Sequence, residues 1–314
     1  MTTRTIRWVL AHEPYDLFLR AAEKFAAEVS EKTHGEIAIE VLGLTEYTEK
    51  YLDGQQLDRY KIKDLVNDGT IEMSQMYTTT LGLTDPDMFV LDMPFLFRDH
   101  EHVARVLDGA VGQQLMDQLA EKSEIKGLAF TYSGGFRAIV GNKVIEAVED
   151  LEGMKVRVAH SPVAEATMRA FGAEPVTLPI EQLADALGEK VVDSGESTYP
   201  RIYSMRQNET ATVINHTEHS LFLTTIIMNK TLWNELTVEQ QKIFADAALA
   251  AAHIERAESL EDIDRTRTRA KLDGIQVVDL DARTRARMQD VSTKVYQDLD
   301  HMFSPGLIAA IQRS

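Results

Sequence analysis

Residues 153–196 constrain the fold most, because strand and helix signals alternate there at the spacing of a parallel sheet. Gly153-Met154-Lys155-Val156-Arg157-Val158 has the period of two of a strand. Met154, Val156 and Val158 fall on one face, and Lys155, Arg157 and Ala159 on the other. Ser161-Pro162 opens a helix, with Ser161 as N-cap and Pro162 as its first residue. Val163, Ala166, Thr167, Ala170 and Phe171 recur at helical spacing until Gly172 stops the helix. A second strand is predicted over 174–178, a second helix over 179–187 with Gly188 as its stop, and a third strand over 191–193. This alternation reads as α/β with a parallel sheet, and such sheets take ligands at the carboxyl ends of their strands. Arg157 lies towards that end. Its planar fork suits a carboxylate or phosphate, and an ion pair with Glu149 or Asp150 is the structural alternative.

The other segments supply enough elements for a second layer of the same kind. Strands are expected over 6–11, 36–42 and 71–76, with a helix over 15–32 carrying Leu17, Phe18, Ala21, Ala22, Phe25 and Val29 on its apolar face. Tyr77-Thr78-Thr79-Thr80 after the third strand is either an ordinary loop or a row of hydroxyls at a strand end. The apolar segment 88–97 reads mainly as core. A strand over 127–131 leads into Ser133-Gly134-Gly135, whose glycines permit a crossover, and a strand over 224–228 returns. Thr237-Val238-Glu239-Gln240 is a capping box opening a helix that reaches towards Arg269. Gly274 breaks it, and a strand over 275–278 and a helix over 282–299 follow.

At 314 residues the chain has room for two cores, and 44% hydrophobic content is that of a globular protein. No apolar run approaches the roughly 20 residues that cross a bilayer. A formal charge of -17 argues against nucleic acid as a partner. It leaves room for a small anion held by a local pair of arginines. With no cysteine there are no disulfides, thiolate metal sites or cysteine nucleophiles. No dinucleotide, phosphate-loop or nucleophile-elbow motif is present. His216-Thr217-Glu218-His219 places two histidines three apart without an obvious third ligand, so a polar loop is the expectation there, and no metal.

Gly135-Phe136-Arg137, Glu149-Asp150-Leu151-Glu152-Gly153-Met154-Lys155-Val156-Arg157-Val158, Phe171-Gly172-Ala173-Glu174-Pro175-Val176 and Val192-Asp193-Ser194-Gly195-Glu196 together closely resemble the solute-binding subunits of TRAP transporters, the DctP-type family. The resemblance runs over nearly the whole chain. It implies a two-lobed periplasmic-binding-protein-like fold, type II-like, with a central cleft, hinge closure and a long lobe-spanning helix. Lobe I would comprise 1–133 plus 223–262, and lobe II 134–222 plus 263–314. It implies that Arg157 forms the bidentate pair with a ligand carboxylate and that Arg137 supports the same group. Ser197 stands where the family usually has Asn, and Asn215-His216 matches the family's strand end. His12, Glu13, Tyr77 and Tyr199 complete the expected ligand-facing set. The implied function is capture of a small organic acid for delivery to membrane subunits. Glu13 facing the cleft would suit a hydroxyl and repel a second carboxylate, which favours a sugar acid over a symmetrical dicarboxylate. The protein would work in the periplasm as a monomer without a cofactor, although Met1-Thr2-Thr3-Arg4 is no signal peptide. An α/β enzyme acting on a small carboxylate is the alternative.

Overall fold

The structure, a computed structural model, describes residues 3–12 and 15–314. Eleven strands are present among them: β1 (Arg4–Leu10), β2 (Ile37–Gly43), β3 (Met73–Tyr77), β4 (Ile125–Phe136), β5 (Ala138–Gly141), β6 (Lys155–Val158), β7 (Glu174–Thr177), β8 (Ser194–Ser197), β9 (Val213–His216), β10 (Leu221–Asn229) and β11 (Gln276–Asp279). They form one sheet in the order β2-β1-β3-β10-β4 and another in the order β11-β9-β5-β8-β6-β7. The chain divides into two compact α/β units. The first is Met1–Asp85, Ala104–Tyr132 and Leu223–Glu258, and the second is Pro86–Val103, Ser133–Phe222 and Ser259–Ser314.

In the first unit β1 runs parallel to β2 and β3, and β10 returns antiparallel to β3. The helix Tyr15–Lys32 covers this sheet with Leu17, Phe18, Ala21, Ala22, Phe25 and Val29, all buried as the periodicity requires. Trp8 of β1 meets Phe25 edge-on at 5.1 Å, and Phe25 meets Phe244 at 5.4 Å. Such ring pairs add to the area burial that holds helix and sheet together.

In the second unit β6 is parallel to both β7 and β8, while β5 is antiparallel to β8 and β9. Alternation along each strand feeds two cores. Val140 and Ile214 pack with Ile180, Leu183, Ile202 and Ile275, whereas Ile139 packs with Val156, Val158, Met168, Phe171 and Met288. The third strand of the parallel run is Ser194–Ser197, not 191–193 as the sequence suggested. Val191 is exposed, and Val192 packs into the core ahead of the strand. The two valines carry the strand propensity, but the paired ladder with β5 and β6 starts at Ser194, with Asp193 N donating to Lys155 O at 2.8 Å just before it. The long helix spans Val238–Leu272, and its residues from Ser259 onward belong to the second unit.

Candidate functional site

Arg157 sits one residue from the carboxyl end of β6. Val156 and Val158 turn into the core on one face of the strand, so Arg157 projects from the other. Its side chain is buried, and its Nε donates to the carbonyl oxygen of Leu178, just beyond β7, at 2.7 Å. Nη1 reaches the carbonyl oxygen of Glu196 on β8 at 3.5 Å. The expected alternative partners are engaged elsewhere. Glu149 lies 3.8 Å from Arg287, and the Asp150 carboxylate accepts from the backbone amides of Glu146 and Ala147. Gly195 lies beside Arg157 in the sheet register. A Cβ there would stand 3.1 Å from Arg157 Cβ and 2.6 Å from Leu183 Cδ1, so glycine leaves the space from which the Arg157 side chain and Leu183 start.

Arg137 follows β4 and is almost completely buried. Its Nη2 donates to Asp92 Oδ1 at 2.8 Å, and its guanidinium lies 4.0 Å over the Phe222 ring. Asp92 Oδ2 accepts from Ser161 Oγ at 2.7 Å, and the same hydroxyl caps the helix Pro162–Ala170 by accepting from the amide of Ala164. Burial opposes the charge on Arg137, but the fields of Asp92 and Glu196 outweigh it and raise its pKa further. Glu196 Oε1 meets His219 Nε2 at 2.8 Å, and His219 Nδ1 lies 2.7 Å from Thr217 Oγ1. Burial alone would push the Glu196 carboxyl up. The Arg137 field, the His219 hydrogen bond and the Arg157 field overcome that and hold it below the usual range. Glu196 is therefore an ionised carboxylate linking the two arginines electrostatically.

His216 ends β9 and residues 217–219 form the expected polar loop, whose side chains serve two different networks. His219 is fully buried against Glu196, whereas His216 Nδ1 lies 3.1 Å from the Tyr199 hydroxyl and its Nε2 3.5 Å from Glu218. Burial lowers the His216 pKa, so the imidazole is neutral near pH 7. Glu218 and Phe95 both take left-handed backbone angles, φ +48° and +53°, and Phe95 N donates to His219 O at 2.8 Å. Non-glycine residues there store strain that the surrounding packing has to hold.

The remaining expected residues fall into distinct settings. Ser197 on β8 is fully buried, and its Oγ has no hydrogen-bond partner among the described residues. Asn215 has its amide committed to the backbone: Oδ1 accepts from Ile145 N at 2.8 Å, and Nδ2 donates to Lys143 O at 3.0 Å. In the first unit, the His12 and Tyr77 rings lie 4.4 Å apart at the ends of β1 and β3. A cavity of about 260 Å³ opens there beside His12, Tyr15, Thr45 and Arg59. Tyr77 leads into a single helical turn, Thr78–Leu81, in place of either a loop or an open row of hydroxyls. Glu13 lies outside the described residues. Sequence reasoning missed Asp92, Glu196, His219 and Arg201 as members of a polar cluster. Arg201 is also buried, its guanidinium 4.8 Å over the same Phe222 ring. The available signal was a set of charged residues inside otherwise apolar or strand-like segments.

Residues 11–302 match the bacterial extracellular solute-binding protein family 7, DctP. The 2,3-diketo-L-gulonate-binding periplasmic protein YiaO of Escherichia coli (strain K12) is 28% identical over 265 residues, covering 84% of this chain and 77% of that protein. A solved TRAP periplasmic solute binding protein from Polaromonas sp. JS666, bound to D-erythronate, is 27% identical with a TM-score of 0.86, covering 98% of each chain. Another, from Sulfurospirillum deleyianum with bound succinate, is 27% identical with a TM-score of 0.83 and covers 99% of each chain. These relatives bind solutes and are not enzymes, and the two α/β units described above share their fold. The chain belongs to the DctP family of bacterial extracellular solute-binding proteins, the solute-binding subunits of TRAP transporters.

Proposed function

We propose that this protein captures a small organic acid outside the cytoplasm, receives its carboxylate on Arg157, and delivers it to the membrane subunits of a TRAP transporter. The observation that carries the reading is the Arg157 guanidinium, buried at the carboxyl end of β6 and oriented by its bond to Leu178 O. A fork held in one orientation has little rotamer freedom left to lose when an anion arrives, which favours bidentate capture. Asp92 and the field of Glu196 hold Arg137 as a buried cation, and Glu196 also lies in the field of Arg157, which supports assigning Arg137 as the second cation of the site. We assign the buried Ser197 hydroxyl to a polar group of the ligand.

The ligand class we infer is a hydroxylated monocarboxylate such as a sugar acid. The E. coli relative is named for a diketo sugar acid and the Polaromonas protein holds D-erythronate, which supports this class. The Sulfurospirillum protein holds succinate, so a dicarboxylate is the competing ligand to include in any test. A thermal-shift screen over D-erythronate, D-galacturonate, succinate and related acids tests the function. A binding protein gains several degrees with its ligand and consumes none of it. Turnover of the stabilising compound, or no stabilisation by any organic acid, would overturn the reading.

A further inference from the structure

In the first unit a carboxyl group is buried where its hydrogen-bonding neighbours are neutral. Glu255, on the long helix, is fully buried, and both its oxygens lie 2.9 Å from Gln75 Nε2 of β3. That nitrogen has two hydrogens, yet Thr131 Oγ1 of β4 and Thr224 Oγ1 of β10 also lie within 2.7 and 3.0 Å of it. The two threonine hydroxyls are hydrogen-bonded to each other as well. The charged groups facing this spot are Arg256 on the same helix and Arg20 on the helix Tyr15–Lys32. Arg256 grips Asp108 through both terminal nitrogens, at 2.9 and 2.8 Å, and Arg20 pairs with Glu258. Glu255 is offered the Gln75 amide of β3 and the Thr131 hydroxyl of β4, with the Thr224 hydroxyl of β10 bonded to both of these.

An ionised carboxylate in that setting is costly, whereas a neutral acid is both a donor and an acceptor. Gln75 Oε1 is buried with no hydrogen-bond partner among the described residues. Turning the amide over presents this oxygen to Glu255, where only a protonated acid has a hydrogen to give. We propose that Glu255, Gln75, Thr131 and Thr224 form a proton-binding site, in which the folded protein holds Glu255 as a neutral acid donating to the Gln75 amide oxygen. Burial pushes its pKa well above the usual range, and the hydrogen bonds of Gln75 and Thr131 with the fields of Arg256 and Arg20 oppose that only in part. The proton fixes the long helix to three strands shortly before the helix passes into the second unit at Ser259.

The sign follows from a raised folded-state pKa. Stability from this site is complete below the unfolded glutamate value, about 4.3, and is lost as pH rises towards the folded value. Relative to Glu255→Gln, which is neutral at every pH, the wild type should lose about tenfold in its folding equilibrium constant per pH unit across that window. Parallel pH profiles for the two proteins would overturn the proposal. Carbon-13 NMR of wild-type protein labelled at glutamate carboxyls decides the matter without any variant. One glutamate should keep the shift of a neutral acid after the other glutamates have ionised on raising the pH, and a titration in which every glutamate ionises together would overturn the site.

Discussion

Arg157 Nε and the carbonyl oxygen of Leu178 are 2.7 Å apart, which ties the end of β6 to the residue beyond β7 and fixes the direction of the guanidinium. The bond spans 21 residues of sequence and depends on the parallel pairing of Arg157 with Val176. Orientation of the arginine is thus a property of the sheet and not of the side chain alone.

The space around Arg157 depends on Gly195. Gly195→Ala would bring a methyl group to 2.6 Å from Leu183 Cδ1 and 3.1 Å from Arg157 Cβ. Overpacking of this kind costs about 1–3 kcal/mol, and here the arginine has to shift as well. Chemical denaturation should show that loss, and titration with the stabilising acid should show weaker binding than wild type. Unchanged affinity would mean that the Arg157 position tolerates displacement.

The buried pair of Arg137 and Asp92 should behave as one unit. Asp92→Ala removes the carboxylate 2.8 Å from a buried guanidinium and also the acceptor of the Ser161 hydroxyl. Breaking such a pair from one side costs about 3 kcal/mol or more, because an uncompensated charge is left inside. A urea midpoint within error of the wild type would contradict the pairing.

Acid pH should weaken the second unit through Glu196. Its folded-state pKa lies below the ordinary carboxylate value despite burial, through Arg137, His219 and Arg157. Such a group adds stability above the unfolded value of about 4.3 and loses it as pH falls through the folded value. Glu196→Gln should therefore be less stable than wild type at pH 7, with the gap closing under acid conditions. A gap of constant size from pH 7 downward would show that the charge is not what stabilises.

Much of the architecture is legible in the sequence where a local period is strong. Tyr15–Lys32 and Ala282–Leu299 are helices over the predicted residues. The capping box at Thr237 is reciprocal, with Gln240 N donating to Thr237 Oγ1 at 3.2 Å and Thr237 N donating to Gln240 Oε1 at 3.1 Å. Strand β8 is harder to read, because Ser-Gly-Glu-Ser is buried on both faces and so has no alternation to detect. The polar cluster of the second unit is harder still. Asp92 is 45 residues from Arg137, and Glu196 is 23 from His219, so no spacing rule links them. The sheet order, which sets β5 beside β8 and β9, brings Arg137, Glu196 and His219 together, and Asp92 joins them from the helical segment Pro86–Asp92.

Ser197 separates binding from stability. Its hydroxyl makes no hydrogen bond among the described residues, so Ser197→Ala should change the unfolding free energy by less than about 1 kcal/mol. If the hydroxyl serves the ligand, the same variant should reorder the preference among D-erythronate, D-galacturonate and succinate. An unchanged ranking would remove Ser197 from the site.

The most direct measurement is calorimetric titration of wild type, Arg157→Lys and Arg157→Ala with the organic acid that gives the largest thermal shift. Arg157→Ala should lose about 3 kcal/mol or more of binding free energy, since a desolvated carboxylate is left without its charge partner. Arg157→Lys should also bind far more weakly, because a point-charge ammonium does not reproduce the planar fork that Leu178 O orients. Affinity of the lysine variant within about threefold of wild type, less than about 0.7 kcal/mol, would contradict bidentate capture by Arg157.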